Sequence, residues 1–317
     1  MELTTVEEIT AAAERIAGTA VRTPLLPCGW ADPDRPLWLK PENLQPIGAF
    51  KIRGAANAIA RIPESARPRG VVAYSSGNHA QAVAYVAKLF GLPAAIVVPE
   101  NTPAVKIAAT RGYGAEVVVV PITDREIVAA RLVAERGATL IPPFDHRDVI
   151  AGQGTIGLEV AADLPSVEVV LVPVSGGGLA AGVATAVKAL LPSASVVGVE
   201  PLLAADAAAS LAAGRLVRWS TQDRARTIAD GLRAEPSELT FAHLHKLLDG
   251  IVTVTEEEIR EAVAVLANRS HLVAEPSGAV TTAAYLHRAA ELPRGRTVAI
   301  VSGGNINPSD LATILAT

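Results

Sequence analysis

The chain has 317 residues, a length that predicts one large domain or two modest ones. Half of its residues are hydrophobic and 19% are charged, which favours a well-buried globule over a disordered chain. The formal net charge of -4 gives no electrostatic argument for binding nucleic acid or an anionic membrane.

Short β-branched runs alternate with alanine-rich or amphipathic stretches along the chain. In chain order they predict helix 5–17, strand 71–74, helix 80–91, strand 94–98, helix 104–112, strand 116–120, helix 125–136, strand 169–174, helix 179–191, strand 195–199, helix 255–267 and strand 297–301. Capping boxes are expected where Thr5 precedes Glu8 and where Thr255 precedes Glu258. This alternation predicts parallel sheets of buried strands with helices on both faces, and ligands in such folds bind beyond the carboxyl ends of the strands.

Three of the predicted strands run into turns rich in serine and glycine, namely SSGNH at 75–79, SGGGL at 175–179 and SGGN at 302–305. Although no charge lies between Glu168 and Lys188, Pro173 and the three glycines argue against a membrane helix there. A glycine turn before a helix exposes N–H groups to an anion, and phosphate suits it well. The Walker pattern is excluded because no Gly-Lys-Ser/Thr follows, and Ala181 breaks the dinucleotide spacing. A plain structural turn is the alternative interpretation.

Lys51 stands between Phe50 and Ile52 in the segment AFKIRGA. A lysine held in apolar surroundings has a lowered pKa and acts as a nucleophilic amine. A surface lysine that extends its ammonium group to water is the alternative. The combination with the three turns, with IADG at 228–231 and with AEPSGA at 274–279 favours the nucleophile.

With these motifs in this order, the chain resembles the fold-type II pyridoxal-phosphate enzymes (tryptophan synthase β-like), in their threonine/serine dehydratase and serine racemase branch. The resemblance covers nearly the whole chain, including VIAGQGTIGLEV at 149–160, whereas AFKIRGA and SSGNHAQA are unlike the cysteine synthase patterns. It implies an α/β fold of two domains, each with a parallel-rich sheet flanked by helices. The large domain would comprise 1–69 and 148–317, and the small, mobile domain 70–147. It also implies pyridoxal 5'-phosphate as the cofactor.

The resemblance assigns roles at the cofactor ring. Lys51 would bind the cofactor covalently and, once released, would take the α-proton of the substrate. Phe50 would pack near the ring, Asn78 would bind the ring hydroxyl and Ser302 would meet the ring nitrogen. Glu275 is expected beside the ring rather than as the base.

The resemblance also assigns the two anionic groups to turns. The cofactor phosphate would lie against Ser175, Gly176, Gly177, Gly178 and Leu179. The carboxylate of the amino-acid substrate would lie against Ser75, Ser76, Gly77 and His79, where a structural histidine is the alternative for the last residue. Ser76 would also be the second proton carrier that racemisation requires.

A metal site is implied as well. Metal-dependent members bind a divalent ion through a glutamate, a backbone carbonyl four residues later and an aspartate two residues beyond. Glu200, Ala204 and Asp206 keep that spacing. Oxygen ligands suit Mg²⁺, Ca²⁺ or Mn²⁺, and a solvated acidic pair is the alternative.

The activity implied is dehydration and deamination of a β-hydroxy amino acid, threonine or serine, to a 2-keto acid and ammonia. Serine racemase and 3-hydroxyaspartate dehydratase are alternatives, and a catalytically silent binding protein is an alternative of a different class. The segment PFDHRD at 143–148 looks dehydratase-like. Ala49 replaces a serine of many relatives, and Pro46-Ile47 replaces a threonine-containing approach, so substrate preference is left open.

The remaining expectations concern location and assembly. Cys28 is the single cysteine, which excludes an internal disulfide and suits a reducing cytoplasm. The acidic start lacks an apolar signal core, so we expect a cytoplasmic enzyme. The resemblance implies a homodimer, and because the chain stops soon after SGGNIN, no regulatory domain and no feedback inhibition by isoleucine are expected.

Overall fold

The computed structural model describes residues 2–102 and 104–316, with the side chain of residue 105 left out. Within these ranges the strands form a six-stranded and a four-stranded sheet. Both are parallel-rich and flanked by helices, as the α/β prediction requires. The strands of the smaller sheet come from the middle of the sequence, and those of the larger sheet come from the segments on either side of it.

The six-stranded sheet has the order β1-β2-β10-β7-β8-β9. Its strands are β1 (Leu26–Pro27), β2 (Leu37–Pro41), β7 (Val169–Pro173), β8 (Ser195–Pro201), β9 (Gly250–Val254) and β10 (Thr297–Val301). All neighbours are parallel except β1 and β2. The sheet is therefore parallel-rich, as expected. Its one antiparallel pair lies at this edge, because the connection between β1 and β2 is too short for a parallel crossover.

The four-stranded sheet is parallel and has the order β5-β4-β3-β6. Its strands are β3 (Val71–Tyr74), β4 (Ala94–Pro99), β5 (Glu116–Val120) and β6 (Thr139–Leu140). The sequence predicted β5 as a buried strand, and this is wrong. As the edge strand it keeps Glu116 exposed and leaves Val119 46% exposed.

The helices are α1 (Val6–Ile16), α2 (Lys51–Ala60), α3 (Asn78–Leu89), α4 (Ala104–Gly112), α5 (Arg125–Arg136), α6 (Arg147–Asp163), α7 (Gly178–Leu190), α8 (Asp206–Ala213), α9 (Thr221–Arg224), α10 (Glu238–Leu247), α11 (Glu256–Ser270), α12 (Pro276–His287) and α13 (Pro308–Leu315). Both predicted capping boxes are confirmed, at the starts of α1 and α11. In the described ranges, no helix combines the length and the apolar character that a membrane crossing demands.

Helix α6 carries the segment VIAGQGTIGLEV and packs between α2 and α7. A methyl carbon built on Gly152 would lie 2.5 Å from the carbonyl oxygen of Arg53, and one on Gly182 would lie 2.3 Å from that of Ile150. The helix backbones therefore approach more closely than any side chain allows. This close packing fixes α2, which begins at Lys51, and α7, which begins in the glycine turn.

Candidate active site

Lys51 is the first residue of α2 and its amine faces a carbonyl rather than a carboxylate. The Nζ atom donates a hydrogen bond of 2.7 Å to the oxygen of Pro143 and lies 5.1 Å from the centre of the Phe50 ring. Burial lowers the pKa of the amine to about 8. An amine that is partly neutral near physiological pH can act as a nucleophile and as a proton acceptor.

The turn 175–179 connects β7 to α7 and is closely walled. Gly177 has a left-handed backbone with φ of +85°, which favours glycine, and it starts α7 without a side-chain cap. A methyl carbon on Gly176 would lie 2.4 Å from the Phe144 ring, and one on Gly177 would lie 2.8 Å from Thr240 Cβ. Ser175 Oγ donates to the carbonyl of Ala234 and accepts from its N–H. Such an uncapped helix start with glycine backbone fits a phosphate group.

The turn 75–79 likewise precedes a helix, between β3 and α3, but it is open: Gly77 has φ of -130°, and a methyl carbon on it would meet no atom within 4 Å. Gly77 precedes the helix without a side-chain cap, its N–H donates to Ser75 Oγ over 3.2 Å, and Ser76 is exposed. His79 is buried with Nε2 2.8 Å from the carbonyl oxygen of Ile141. Burial, assisted by the charge of Lys51, lowers the pKa of His79 to about 3, so the ring is neutral. The helix start therefore offers N–H groups to a carboxylate, and the histidine adds no charge.

Asn78 connects the small sheet to residues of the large one. Its Nδ2 donates to Glu275 Oε1 over 2.6 Å, and its Oδ1 accepts from Asn305 Nδ2 over 2.8 Å. Glu275 is buried, and burial together with the charge of Asp230 raises its pKa to about 8. Glu275 therefore lies beside Asn78, and its place at the cofactor ring stays a prediction.

The end of β10 meets the turn that leads into Lys51. The N–H of Phe50 donates to the carbonyl of Ser302, and Ala49 pairs with Gly303 in an isolated bridge. Ser302 is buried and its Oγ donates to the carbonyl of Ser277 over 3.4 Å. The fold thus brings the starts of α2 and α3 to the end of β10, as the sequence motifs predicted.

Several contacts at this site were not singled out from the sequence. These are the Pro143 carbonyl that accepts from Lys51, the Phe144 ring against the glycine turn, Thr240 of α10 and the Asn305 amide. The segments PFDHRD and SGGNIN were noted as motifs and contain three of the four residues. Their individual contacts depend on the fold rather than on spacing.

The predicted metal-binding residues lie at the end of β8. Glu200 is completely buried and accepts hydrogen bonds from the N–H groups of Ala207 (3.2 Å) and Ala208 (2.7 Å) in α8. Ala204 lies in the turn between them, and Asp206 is the first residue of α8. Burial raises the pKa of Glu200 well above its usual value, with a contribution from Asp206, and burial raises that of Asp206 to about 6. Over residues 2–102 and 104–316 no group of three or more His, Cys, Asp or Glu side chains is arranged as a metal cluster.

Comparisons with known proteins agree with this geometry. A family model described as "PALP: Pyridoxal-phosphate dependent enzyme" matches residues 16–303. The chain is 42% identical over 283 residues to an L-threo-3-hydroxyaspartate ammonia-lyase of Saccharomyces cerevisiae, which covers 88% of this chain and 86% of that protein. Among solved structures, the T.th. threonine deaminase superposes with a TM-score of 0.91 and 46% identity, over 96% of this chain and 99% of that one. Maize serine racemase superposes with a TM-score of 0.94 and 38% identity, over 99% and 98%.

The family match spans most of the chain, and these two solved structures superpose on nearly all of it. The chain therefore belongs to the pyridoxal-phosphate dependent enzymes of fold type II, in the group that includes threonine ammonia-lyases and serine racemases.

Proposed function

We propose that this protein dehydrates and deaminates a β-hydroxy amino acid, threonine or serine, to a 2-keto acid and ammonia. The observation that carries the proposal is the Lys51 amine, desolvated and held by the Pro143 carbonyl. Two uncapped helix starts, one for each anionic group, accompany it. The relatives support the reaction class, since they include a threonine deaminase and a hydroxyaspartate ammonia-lyase.

The residues present fit pyridoxal 5'-phosphate. The turn of Ser175, Gly176, Gly177, Gly178 and Leu179 would hold its phosphate through backbone N–H groups. The turn requires glycine at position 176, because a side chain there would collide with Phe144. Lys51, Phe50, Asn78 and Ser302 would hold its ring. When bound, the cofactor supplies an electron-withdrawing ring that stabilises negative charge at the substrate α-carbon. Ser302 offers that ring a neutral hydroxyl and cannot fix a positive charge on the ring nitrogen as an aspartate would.

The chain's own groups then move the proton. The neutral amine of Lys51 accepts the α-proton, and the N–H groups at the start of α3 hold the substrate carboxylate beside it. His79 is neutral, because its pKa is about 3, and it holds the turn through the Ile141 carbonyl. Ser75, Ser76 and Gly77 complete the substrate-binding turn. After the α-proton is lost, the β-hydroxyl takes up a proton and leaves as water. The released enamine becomes an imine, to which water adds, giving the keto acid and ammonia.

Racemisation of serine is the second candidate activity, and Ser76 is the residue that favours it. Ser76 is exposed at the start of α3, so its hydroxyl can exchange protons with solvent. Racemisation requires a proton carrier on each face of the α-carbon, and Lys51 serves one face. We expect dehydration to dominate, because departure of the hydroxyl competes at every deprotonated substrate molecule.

L-Serine in deuterium oxide separates these reactions when keto acid and chirality are followed together. Ser76→Ala is expected to abolish D-serine formation while most of the dehydration remains. Equal loss of both activities would assign Ser76 to binding, and dominant D-serine formation by the parent would reverse the order of the two functions.

We propose further that Glu200, the Ala204 carbonyl and Asp206 bind Mg²⁺, Ca²⁺ or Mn²⁺. Two buried carboxylates with raised pKa values and a buried Asp206 Oδ2 without a hydrogen-bond partner in the described ranges support the proposal. A divalent ion would neutralise both charges. The alternative is that Glu200 only caps α8.

Chelation tests the metal site through stability as well as turnover. We expect a chelator to lower the melting temperature and Mg²⁺ or Ca²⁺ to restore it, because an ion bound only by the folded state stabilises that state. Asp206→Asn should abolish the response. An unchanged melting temperature in the chelated parent would leave Glu200 as a helix cap.

The larger-scale expectations also stand as proposals. We propose a large domain of 1–69 and 148–317 and a mobile small domain of 70–147, supported by the origin of the strands in the two sheets. We also propose that the protein is cytoplasmic and forms a homodimer. Light scattering measures the molar mass in solution and so tests the dimer. The half-buried Cys28 is not in a disulfide and agrees with a reducing compartment.

Replacement of Lys51 tests the proposed function. Lys51→Ala should remove the visible absorbance of the lysine-bound cofactor and all turnover of L-threonine, L-serine and 3-hydroxyaspartate. Parent-like absorbance in the variant would overturn the assignment. Cofactor absorbance in the parent without turnover of any substrate would instead identify a catalytically silent protein.

A further inference from the structure

We propose that Asn305 is a positioning residue that sets the orientation of the Asn78 amide and thereby directs one N–H of Asn78 to the cofactor ring. The inference rests on the proposed role of Asn78 beside the cofactor. It concerns a contact between two side chains that lie 227 positions apart in the sequence.

The hydrogen bonds of Asn305 determine which end of each amide faces which partner. Asn305 Nδ2 lies 2.8 Å from the carbonyl oxygen of Ile47 and 2.8 Å from Asn78 Oδ1. A carbonyl only accepts, so the Asn305 atom that faces Ile47 must be its NH₂ group. The same group faces Asn78, so Asn78 must present its oxygen. The orientation of the second amide therefore follows from a backbone carbonyl, and no choice between oxygen and nitrogen remains.

The hydrogen-bonding capacity of Asn78 then accounts for its role. Its oxygen accepts from Asn305, and one hydrogen of its NH₂ group goes to Glu275 Oε1 over 2.6 Å. The NH₂ group has a second hydrogen, which is available to an acceptor on the cofactor ring. In the flipped amide, the oxygen would face Glu275 and the ring would meet no donor from Asn78.

Glu275 does not set the orientation without Asn305. Burial and the charge of Asp230 raise its pKa to about 8, so near neutral pH it carries a proton for much of the time. A protonated carboxyl group donates as well as accepts, and it could therefore pair with either end of the Asn78 amide. Asn305 sets the orientation, because its NH₂ group only donates and therefore pairs only with the oxygen end of the Asn78 amide.

The backbone around Asn305 holds its side chain in place. The N–H of Gly304 donates to the carbonyl of Gly48 over 2.9 Å, and Gly303 pairs with Ala49. A methyl carbon on Gly48 would lie 2.5 Å from Asn305 Oδ1, and Gly48 has φ of +71°. Asn305 is thus enclosed by the turn that leads into Lys51, and it ties that turn to the start of α3.

The test is Asn305→Asp, which keeps the size of the side chain and replaces the donor with an acceptor. Cofactor affinity is measured by titrating the apoenzyme with pyridoxal 5'-phosphate. Holoenzyme absorbance is recorded against pH, and kcat and KM are measured for L-threonine. We expect the dissociation constant to rise about tenfold or more, because the amide of Asn78 would no longer be held with its N–H toward the ring. The pH at which the bound cofactor changes its absorbance should shift, and kcat should fall more than KM rises.

Asn307→Asp is the matched control, because it makes the same change two residues away at the half-buried start of α13, where the Asn307 Nδ2 donates to Asp310 of the same helix rather than to a residue of the candidate site. It should keep parent affinity and absorbance. Asn305→Ser, which keeps a small donor, should recover part of the affinity, and it replaces Asn305→Asp if that variant does not fold.

A double variant separates positioning from general stability. In an Asn78→Ala background, Asn305→Asp should change cofactor affinity less than about twofold, because the residue on which it acts is gone. Parent-like absorbance and affinity in Asn305→Asp, or an undiminished loss in the Asn78→Ala background, would overturn the inference. These readouts need only cofactor binding, so they remain decisive if the parent binds the cofactor without the proposed turnover.

Discussion

The surroundings of Lys51 convert an ordinary lysine into a reactive one. Its pKa is lowered from 10.5 to about 8 by burial. Below that pKa the amine is protonated and cannot form a bond to the cofactor, so the rate of cofactor incorporation into apoenzyme should rise as pH increases through about 8. Visible absorbance followed between about pH 6.5 and pH 9.5 measures this rate. A rate that rises only near pH 10 would show that the amine is solvated.

The wall of the glycine turn predicts a second effect of a single residue. Gly176→Ala places a methyl group 2.4 Å from the Phe144 ring, so the turn or the ring must move. Overpacking of this kind costs about 1–3 kcal/mol, and the displaced N–H groups should weaken cofactor binding about tenfold or more. Gly29→Ala is the control, because a methyl group there meets no atom within 4 Å. Equal cofactor affinities of the two variants would show that the glycine turn does not hold the cofactor phosphate.

The residues that could be predicted are those whose roles depend on neighbours in the sequence. Lys51 between apolar residues, and the glycine turns after strands, are local patterns, and the fold brings them together. Asn305 could not be assigned from the sequence, because its partner Asn78 lies 227 positions away at the start of α3 and the effect of the contact depends on the orientation of the Asn78 amide. Glu275 was expected near the ring, but its raised pKa follows from burial and Asp230, which only the fold supplies.

Among the elements, α6 shows why local propensity misleads. Its segment contains Gly152, Gly154 and Gly157, which lower helix propensity, and the sequence motif alone predicted no helix. The structure explains the glycines through contact, because Gly152 and Gly154 lie against backbone oxygens of α2 and α7. The sequence reading also missed strands β1, β2, β6 and β9. Each is fixed by its neighbour in a sheet rather than by a long apolar run.

A buried charge cluster joins β2, α2 and α6, and it yields a prediction about stability. Arg53 lies 2.7 Å from Glu42 and 2.6 Å from Glu159, and Glu159 also accepts from Lys40 over 2.5 Å. Glu159→Gln would leave two buried cations with one carboxylate, so the free energy of unfolding should fall by about 3–5 kcal/mol. Urea unfolding measures the change. The exposed Glu64→Gln should be neutral, and an equally small effect at Glu159 would show that the cluster is well hydrated.

At the scale of the whole molecule, one ion pair connects a helix beside the four-stranded sheet to the segment between α9 and α10. Lys106 of α4 lies 2.7 Å from Asp230, whose charge also acts on Glu275. In the proposed closure of the small domain on substrate, this pair would stabilise the arrangement in which α4 lies against Asp230. Because its side chains are 20% and 43% exposed, it should contribute at most about 1 kcal/mol.

Lys106→Met should therefore raise KM for L-threonine by up to about fivefold and change kcat less. High salt should raise KM of the parent towards that of the variant, since salt screens the pair. Lys246→Met, at an exposed position of α10, is the control. A KM that is independent of both salt and Lys106 would remove the ion pair from the account of closure.

The position of β10 also bears on how the protein is made. β10 is the last strand along the chain, yet it lies between β2 and β7 and pairs with both. On the ribosome, the hairpin of β1 and β2 emerges early and waits for its parallel neighbour until Val301 has been synthesised. At about 5–20 residues per second this delay lasts on the order of ten seconds or more. The four-stranded sheet is complete by Leu140 and can fold meanwhile. We therefore expect nascent chains to expose an unpaired apolar strand edge, which favours chaperone binding until β10 has been made.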